Sequence, residues 1–236
     1  MERPSIRSYI LRGARMTSAQ KGAIDNHGDR FILAPTEPFR PRDFFPEKGV
    51  VIVEIGSGMG EATAQIAKAF PDHGFIAIEV HRPGIGSLIL RAVKEEIYNL
   101  KMINEDCHLV LDLIEDGSVD TFHIFFPDPW PKTKHRKRRL INDEFAKVLV
   151  RKLRVKGTLR IATDWADYAR QIEGVLAKTE GLSGGICPRP EWRPLTKFES
   201  QGIDKEHEVT DFLYEKVDRE SERSDSYCEI CPILLT

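Results

Sequence analysis

Val50-Val51-Ile52-Val53-Glu54-Ile55-Gly56-Ser57-Gly58-Met59-Gly60-Glu61 is the stretch on which the fold turns. Val50–Ile55 is a short apolar run that ends on glycine, which reads as a buried strand, and Glu61–Phe70 then follows with helical spacing. Outward from it the same alternation repeats. Phe75–Val80 reads as a second strand, and Gly84–Leu100 as a second helix with Ile85, Leu88, Ile89 and Val93 on its apolar face. Lys101–Glu105 and Val119–Phe126 read as strands, Arg139–Val155 as a helix, Gly157–Ala162 as a strand and Trp165–Lys178 as a helix. A further strand is expected near Val209–Val217. Strands alternating with helices imply an α/β fold: a mostly parallel sheet with helices on both faces, because right-handed crossovers place them there. Ligands of such sheets sit beyond the carboxyl ends of the strands, so the loops starting at Gly56, Glu79, Asp106, Pro127 and Thr163 should share one rim.

Gly56, Gly58 and Gly60 lie where a backbone must come close to a nucleotide-like ligand. A dinucleotide fingerprint would be GxGxxG. Here the pattern is GxGxG followed by Glu61, so a pyrophosphate would meet a carboxylate at the helix start, which argues against NAD. S-adenosylmethionine has no phosphate and carries a sulfonium and an ammonium, and it suits an open glycine turn beside acids. Glu54 supplies one acid. Glu79, 21 residues beyond Gly58, has the spacing at which a carboxylate accepts from both ribose hydroxyls. Asp106 can reach an adenine amino group or nearby backbone. The bland alternative for the turn alone is a tight β-to-α connection; for each acid it is a solvated loop residue or a helix cap.

Phe125-Phe126-Pro127-Asp128-Pro129-Trp130-Pro131-Lys132 ends the fourth strand on the same rim. Prolines at alternate positions stiffen the backbone and would hold Asp128 and Trp130 in place. Trp130 either stacks on a nucleic-acid base or packs as a rigid corner, and the sequence leaves both open. The run Lys132-Thr133-Lys134-His135-Arg136-Lys137-Arg138-Arg139 then places six fixed positive charges in eight positions of a chain whose formal charge is −2. Cations concentrated beside a ligand pocket suit a phosphate backbone. Arg3, Arg7, Arg12, Arg15 and Lys21 would add a second contact. A solvated helix start and a localisation patch are the competing explanations.

At 236 residues, 41% hydrophobic and 31% charged, the chain has the length and balance of one globular domain. Its apolar runs fall far short of the roughly 20 residues that cross a bilayer. Arginines interrupt the apolar pairs of the first sixteen residues, so no signal peptide is expected there and the cytosol is the expected compartment. Cys107, Cys187, Cys228 and Cys231 are irregularly spread and are expected to be free thiols; no metal site is expected. Composition divides the chain into a basic, proline-rich, irregular extension over 1–48, a domain over 49–217 and a charged tail over 218–236.

These motifs together resemble the bacterial tRNA (guanine-N7)-methyltransferases, which methylate guanine 46 in the variable loop of tRNA. The resemblance runs from Arg7–Met16 through Glu54–Gly60, Ile78–His81, Phe126–Lys132 with Lys137–Leu140, Ala162–Trp165 and Thr196–Glu199, and the segment Pro127–Lys132 with its basic run is the most specific part. It implies a Rossmann-like class I S-adenosylmethionine-dependent methyltransferase. By resemblance, Glu54, Gly56, Gly58, Gly60, Glu79, Asp106 and Asp128 would line the S-adenosylmethionine pocket, with Asp128 the candidate catalytic residue. Lys132, Asp164, Thr196, Lys197, Phe198 and Glu199 would meet the tRNA. Gln201 stands where the family often carries a basic residue, and the tail after Asp218 has no counterpart. No obligatory protein partner and no membrane are expected, and a homodimer is left open. A methyltransferase of an exocyclic base amine or a small molecule, and a non-catalytic RNA-binding protein, are the alternative readings.

Overall fold

The computed structural model describes residues 8–9, 15–195 and 208–218. Its parallel strands are β1 (Val51–Ile55), β2 (Gly74–Ile78), β3 (Leu100–Ile103), β4 (Val119–Phe125) and β5 (Leu153–Thr163). A late pair, β6 (Leu182–Cys187) and β7 (Thr210–Lys216), adds antiparallel to them, giving the order β3-β2-β1-β4-β5-β7-β6. β1 is buried along its whole length, as its apolar run requires. Val51, Val53 and Ile55 enter one core and Ile52 the other, because successive side chains of a strand point to opposite faces. Helices α1 (Ser18–Phe31), α2 (Glu61–Ala69) and α3 (Arg82–Lys94) cover the Ile52 face. Helices α4 (Cys107–Leu113), α5 (Asp143–Lys152) and α6 (Ala166–Leu176) cover the other. The chain winds from β1 to β3 in one direction and resumes at β4 on the other side of β1, so the switch point at which such sheets bind ligands lies at the carboxyl ends of β1 and β4.

Several boundaries differ from the sequence expectation, each for a physical reason. The helix expected over Gly84–Leu100 stops at Lys94: Glu96 takes a left-handed φ of 55° and Leu100 opens β3, whose expected span was Lys101–Glu105. The helix expected over Arg139–Val155 is only Asp143–Lys152. Asn142 caps it by accepting from the Phe145 N–H at 3.0 Å, and Leu153 already pairs with Val119 as the first residue of β5. Residues 18–31 of the expected irregular extension form α1, begun by a reciprocal cap in which Thr17 and Gln20 bond each other's backbone. Phe31, Phe39 and Phe45 are buried in the two cores, so this part of the extension belongs to the fold. The strand near Val209–Val217 is β7; α4 and β6 had no expectation attached. No described helix is long and apolar enough to cross a membrane.

Candidate active site

The carboxyl ends of the parallel strands form one edge. The Gly56 N–H donates to the Ile78 carbonyl at 2.9 Å, the Glu79 N–H to Ile103 at 3.0 Å and the Phe126 N–H to Ala162 at 2.8 Å, so the loops after β1, β2 and β4 leave the same side of the sheet. The glycine turn, the Glu79 loop and the Asp128 turn thus share the expected rim.

Within the glycine turn Gly56, Gly58 and Gly60 have φ of 83°, 57° and 73°, the left-handed region that side chains disfavour. Glu79 ties the turn to the second loop: one carboxylate oxygen accepts from the Gly58 N–H at 2.6 Å and the other from the His81 N–H at 2.8 Å. Helix α3 then passes so close beneath the turn that a Cβ on Gly84 would lie 2.0 Å from the Gly58 carbonyl oxygen. Asn104 completes the lock by donating to the Glu79 carbonyl at 2.7 Å. Neither Gly84 nor Asn104 stood out in the sequence, although a Pro83-Gly84 pair at a helix start is a signal that could have been read.

Glu54 and Glu79 are 5% and 7% exposed. Burial, reinforced by the charge of Glu79, pushes the Glu54 carboxyl up to about 7. Burial also raises Glu79, an effect opposed by the N–H groups of His81 and Gly58. Two buried carboxyls with elevated proton affinity form a place where a bound cation is favoured. A Cβ built on Gly56 or Gly58 would meet nothing within 4 Å, and Ser57 Oγ and His81 Nε2 are buried without a hydrogen-bond partner. Open space, unmet polar atoms and buried acids together fit a cationic nucleoside such as S-adenosylmethionine. Asp106, half-buried after β3, caps α4 by accepting from the His108 N–H at 2.9 Å, so one of its oxygens is committed to the protein.

The Asp128 turn is bent at both ends by non-glycine residues in the left-handed region, Phe126 at φ 53° and Trp130 at φ 43°. Asp128 is exposed between them. Trp130 is not available for base stacking: it is 7% exposed, donates its indole N–H to the Ser8 carbonyl at 2.9 Å and carries Arg138 at 4.9 Å from its ring centre. The rigid-corner alternative is therefore the one realised.

The basic run also divides. Thr133–Arg138 form a 3₁₀ turn, and Lys132, Lys134, Arg136 and Lys137 are exposed, with Arg136 paired to Asp167 at 3.1 Å. Arg139 is 2% exposed and points inward, so it is excluded from the phosphate-facing set. It donates to the Pro129 carbonyl at 2.8 Å, to Gln171 at 2.8 Å and to Asp167 at 2.7 Å, with its guanidinium 4.8 Å from the Tyr168 ring centre. Nothing in a local window of sequence distinguishes Arg139 from its neighbours; its partners lie 10, 32 and 28 residues away. Asp164 follows β5 on the same edge and is half-buried. Thr196, Lys197, Phe198, Glu199, Gln201, Cys228 and Cys231 lie outside the described residues; Cys107 and Cys187 are free thiols.

The methyltransferase family model Methyltransf_4 matches residues 48–212. The tRNA (guanine-N(7)-)-methyltransferase of Nitrosomonas eutropha is 44% identical over 218 residues, covering 90% of this chain and 97% of that protein. The protein of the same name from Chromobacterium violaceum is 43% identical over 225 residues, covering 92% and 100%. Among solved structures, the 16S rRNA methyltransferase KamB superposes with a TM-score of 0.57 over 80% of this chain and 99% of that one, at 14% identity, a likeness of fold alone.

Proposed function

We propose, from the premise that this chain belongs to the tRNA (guanine-N7)-methyltransferase family, the following assignment of its residues. The enzyme transfers a methyl group from S-adenosylmethionine to N7 of a guanine in tRNA. Our reading places that guanine at position 46 of the variable loop and the enzyme in the cytoplasm. One observation carries the residue assignment: the buried pair Glu54 and Glu79 beneath an open glycine turn shares a sheet edge with an exposed carboxylate, Asp128, beside exposed cations.

S-adenosylmethionine supplies an electrophilic methyl on a sulfonium. Glu54 and Glu79 hold its cationic and ribose portions, with Gly56 and Gly58 giving the backbone room to close on it, Gly60 letting the turn pack on Leu88 of α3, where a Cβ would come within 2.6 Å, and Asp106 at the adenine end. Guanine N7 is an in-plane lone pair already free of a proton at neutral pH, so no strong general base is required. The residues align the acceptor and stabilise the positive charge that grows on the purine. Asp128 does both by accepting from the guanine N1–H and amino group while ionised, and Asp164 shares the edge. Lys132 and residues 196–199 meet the tRNA. The test is incubation with unmodified tRNA and methyl-labelled cofactor, followed by nucleoside identification. N7-methylguanosine from the variable loop is expected; label on an exocyclic amine, or bound cofactor without transfer, overturns the reading.

The elevated Glu54 pKa makes a pH prediction. A cationic ligand prefers the carboxylate, so binding weakens as pH falls through about 7. Affinity should be about tenfold lower at pH 6 than at pH 8, and Glu54→Gln should show no such loss; titration calorimetry at both pH values measures it. A wild-type pH profile matching that of E54Q would remove Glu54 from the cation site. In the unliganded protein the folded chain holds a proton that the unfolded chain releases between 4.5 and about 7, so Glu54 increasingly disfavours folding as pH rises across that window.

Splitting the basic run makes another. Lys134→Ala with Lys137→Ala should raise the tRNA KM several-fold and reduce the slope of log affinity against log salt by about 1 to 2, one counterion-release increment per lost phosphate contact. The maximal rate at saturating tRNA should hold. An unchanged salt slope would take this turn off the RNA.

A further inference from the structure

In a doubly wound sheet a helix would be expected over each face, yet the α2–α3 face of β4, β5 and β7 is covered by an irregular segment, residues 189–195. Trp192 lies flat on His123 of β4, with ring centres 5.3 Å apart at 17°, and Arg160 of β5 reaches over it at 5.3 Å. Burial, with the nearby Arg160 charge, pushes His123 down to about 3, so this stack holds a neutral imidazole. The next residue, Arg193, is fully buried. Its Nε and Nη2 donate to the two oxygens of Asp211 on β7, each at 2.9 Å, a paired fork between two side chains 18 residues apart.

The same guanidinium lies 5.9 Å from the ring centre of Phe125 and 5.4 Å from that of Phe126. Phe126 is the left-handed residue where the chain leaves β4 for Pro127-Asp128-Pro129. Its N–H donates to the carbonyl of Ala162, and Ala162 is the residue that Asp211 faces across the β5–β7 ladder. The ion pair, the phenylalanine ring and the ladder thus form one contiguous block at the root of the Asp128 turn. A left-handed φ at a bulky residue is costly and persists only when its surroundings enforce it.

We propose that Arg193, fixed by Asp211, is a positioning residue for methyl transfer, holding Phe126 in the bend from which Asp128 is presented to the purine. The proposal rests on the role given above to Asp128. Lysine retains the charge at 193 but cannot make the paired fork. In full-length protein, Arg193→Lys should lower the single-turnover rate with saturating tRNA and cofactor by about 10-fold to 100-fold, the scale of a displacement near 1 Å at a reacting group, and leave the cofactor Kd within about twofold. Glycine adopts the left-handed bend without enforcement, so in a Phe126→Gly background Arg193→Lys should cost less than about twofold more. Should Arg193→Lys fail to fold, Asp211→Glu displaces the same fork by one methylene and is held to the same two expectations. Equal rates for wild type and R193K, multiplicative losses in the F126G background, or a cofactor Kd that weakens as much as the rate would each overturn the positioning role alone. A wild type that makes no N7-methylguanosine in the same assay would overturn the functional reading and this proposal with it.

Discussion

Asp128→Ala is expected to lower kcat at saturating tRNA by about 10²-fold or more, equivalent to roughly 2.7 kcal/mol of lost transition-state stabilisation. The tRNA and cofactor dissociation constants should stay within about threefold. The expectation rests on how the turn is built. Its shape is held by Pro127, Pro129 and Pro131, by Arg139 donating to the Pro129 carbonyl at 2.8 Å and by the indole of Trp130 on Ser8 at 2.9 Å, none of which needs the Asp128 carboxylate. Deleting that carboxylate removes charge and acceptor while the prolines, the Arg139 bond and the Trp130 bond remain. Asp128→Asn should lose most of the same rate, because an amide keeps the shape and not the charge. Single-turnover transfer of labelled methyl separates the chemical step from product release, and an alanine variant that matches the wild type would take Asp128 out of the mechanism.

Gly84→Ala should weaken cofactor binding by about 100-fold or more and destabilise the protein by about 1–3 kcal/mol, the range for forcing an extra carbon into a filled space. The sign makes this informative. In the interior of an exposed helix the same change stabilises by up to about 1 kcal/mol. Here the added carbon would lie 2.0 Å from a backbone oxygen of Gly58 and 3.4 Å from Glu79 Cγ, so either the start of α3 or the glycine turn must withdraw. Withdrawal breaks the bond from the Gly58 N–H to Glu79, the contact that fixes turn and acid relative to each other. Titration calorimetry with cofactor, together with denaturant unfolding, reads both effects. Wild-type affinity in the alanine variant would mean that the close pass does not shape the pocket.

The parts of the fold visible in the sequence were those with strong local signals. Val51–Ile55 is apolar enough to be a doubly buried strand wherever it occurs, and Gly56, Gly58 and Gly60 advertise a backbone conformation that other residues resist. Helix α1 was missed because it offers little to a periodicity reading: only Gln20, Ala23 and Phe31 are buried, and Gly22 and Gly28 interrupt it. The overlong helix at Arg139–Val155 arose because Leu140 and Leu153 continue the apolar stripe of α5. Tertiary partners take both out of the helix, the Tyr168 hydroxyl accepting the Ile141 N–H on one side and β4 pairing with Leu153 on the other. On the rim, the place of Glu79 beside the glycine turn was legible from its spacing to Gly58, whereas the bond it accepts from the Gly58 N–H was not. Arg139, Arg193 and Asp211 were not, since a buried arginine looks like an exposed one until the carboxylates from other elements arrive.

β7 enters the sheet between β5 and β6 although it comes last among the described strands. During synthesis the Asp128 turn therefore emerges some eighty residues before the strand that walls its root, and a growing chain holds every residue proposed above for the cofactor while that wall is still missing. Competence should then arrive abruptly, with the pairing of β7, and a ribosome-stalled chain ending short of Thr210 would hold cofactor without modifying RNA.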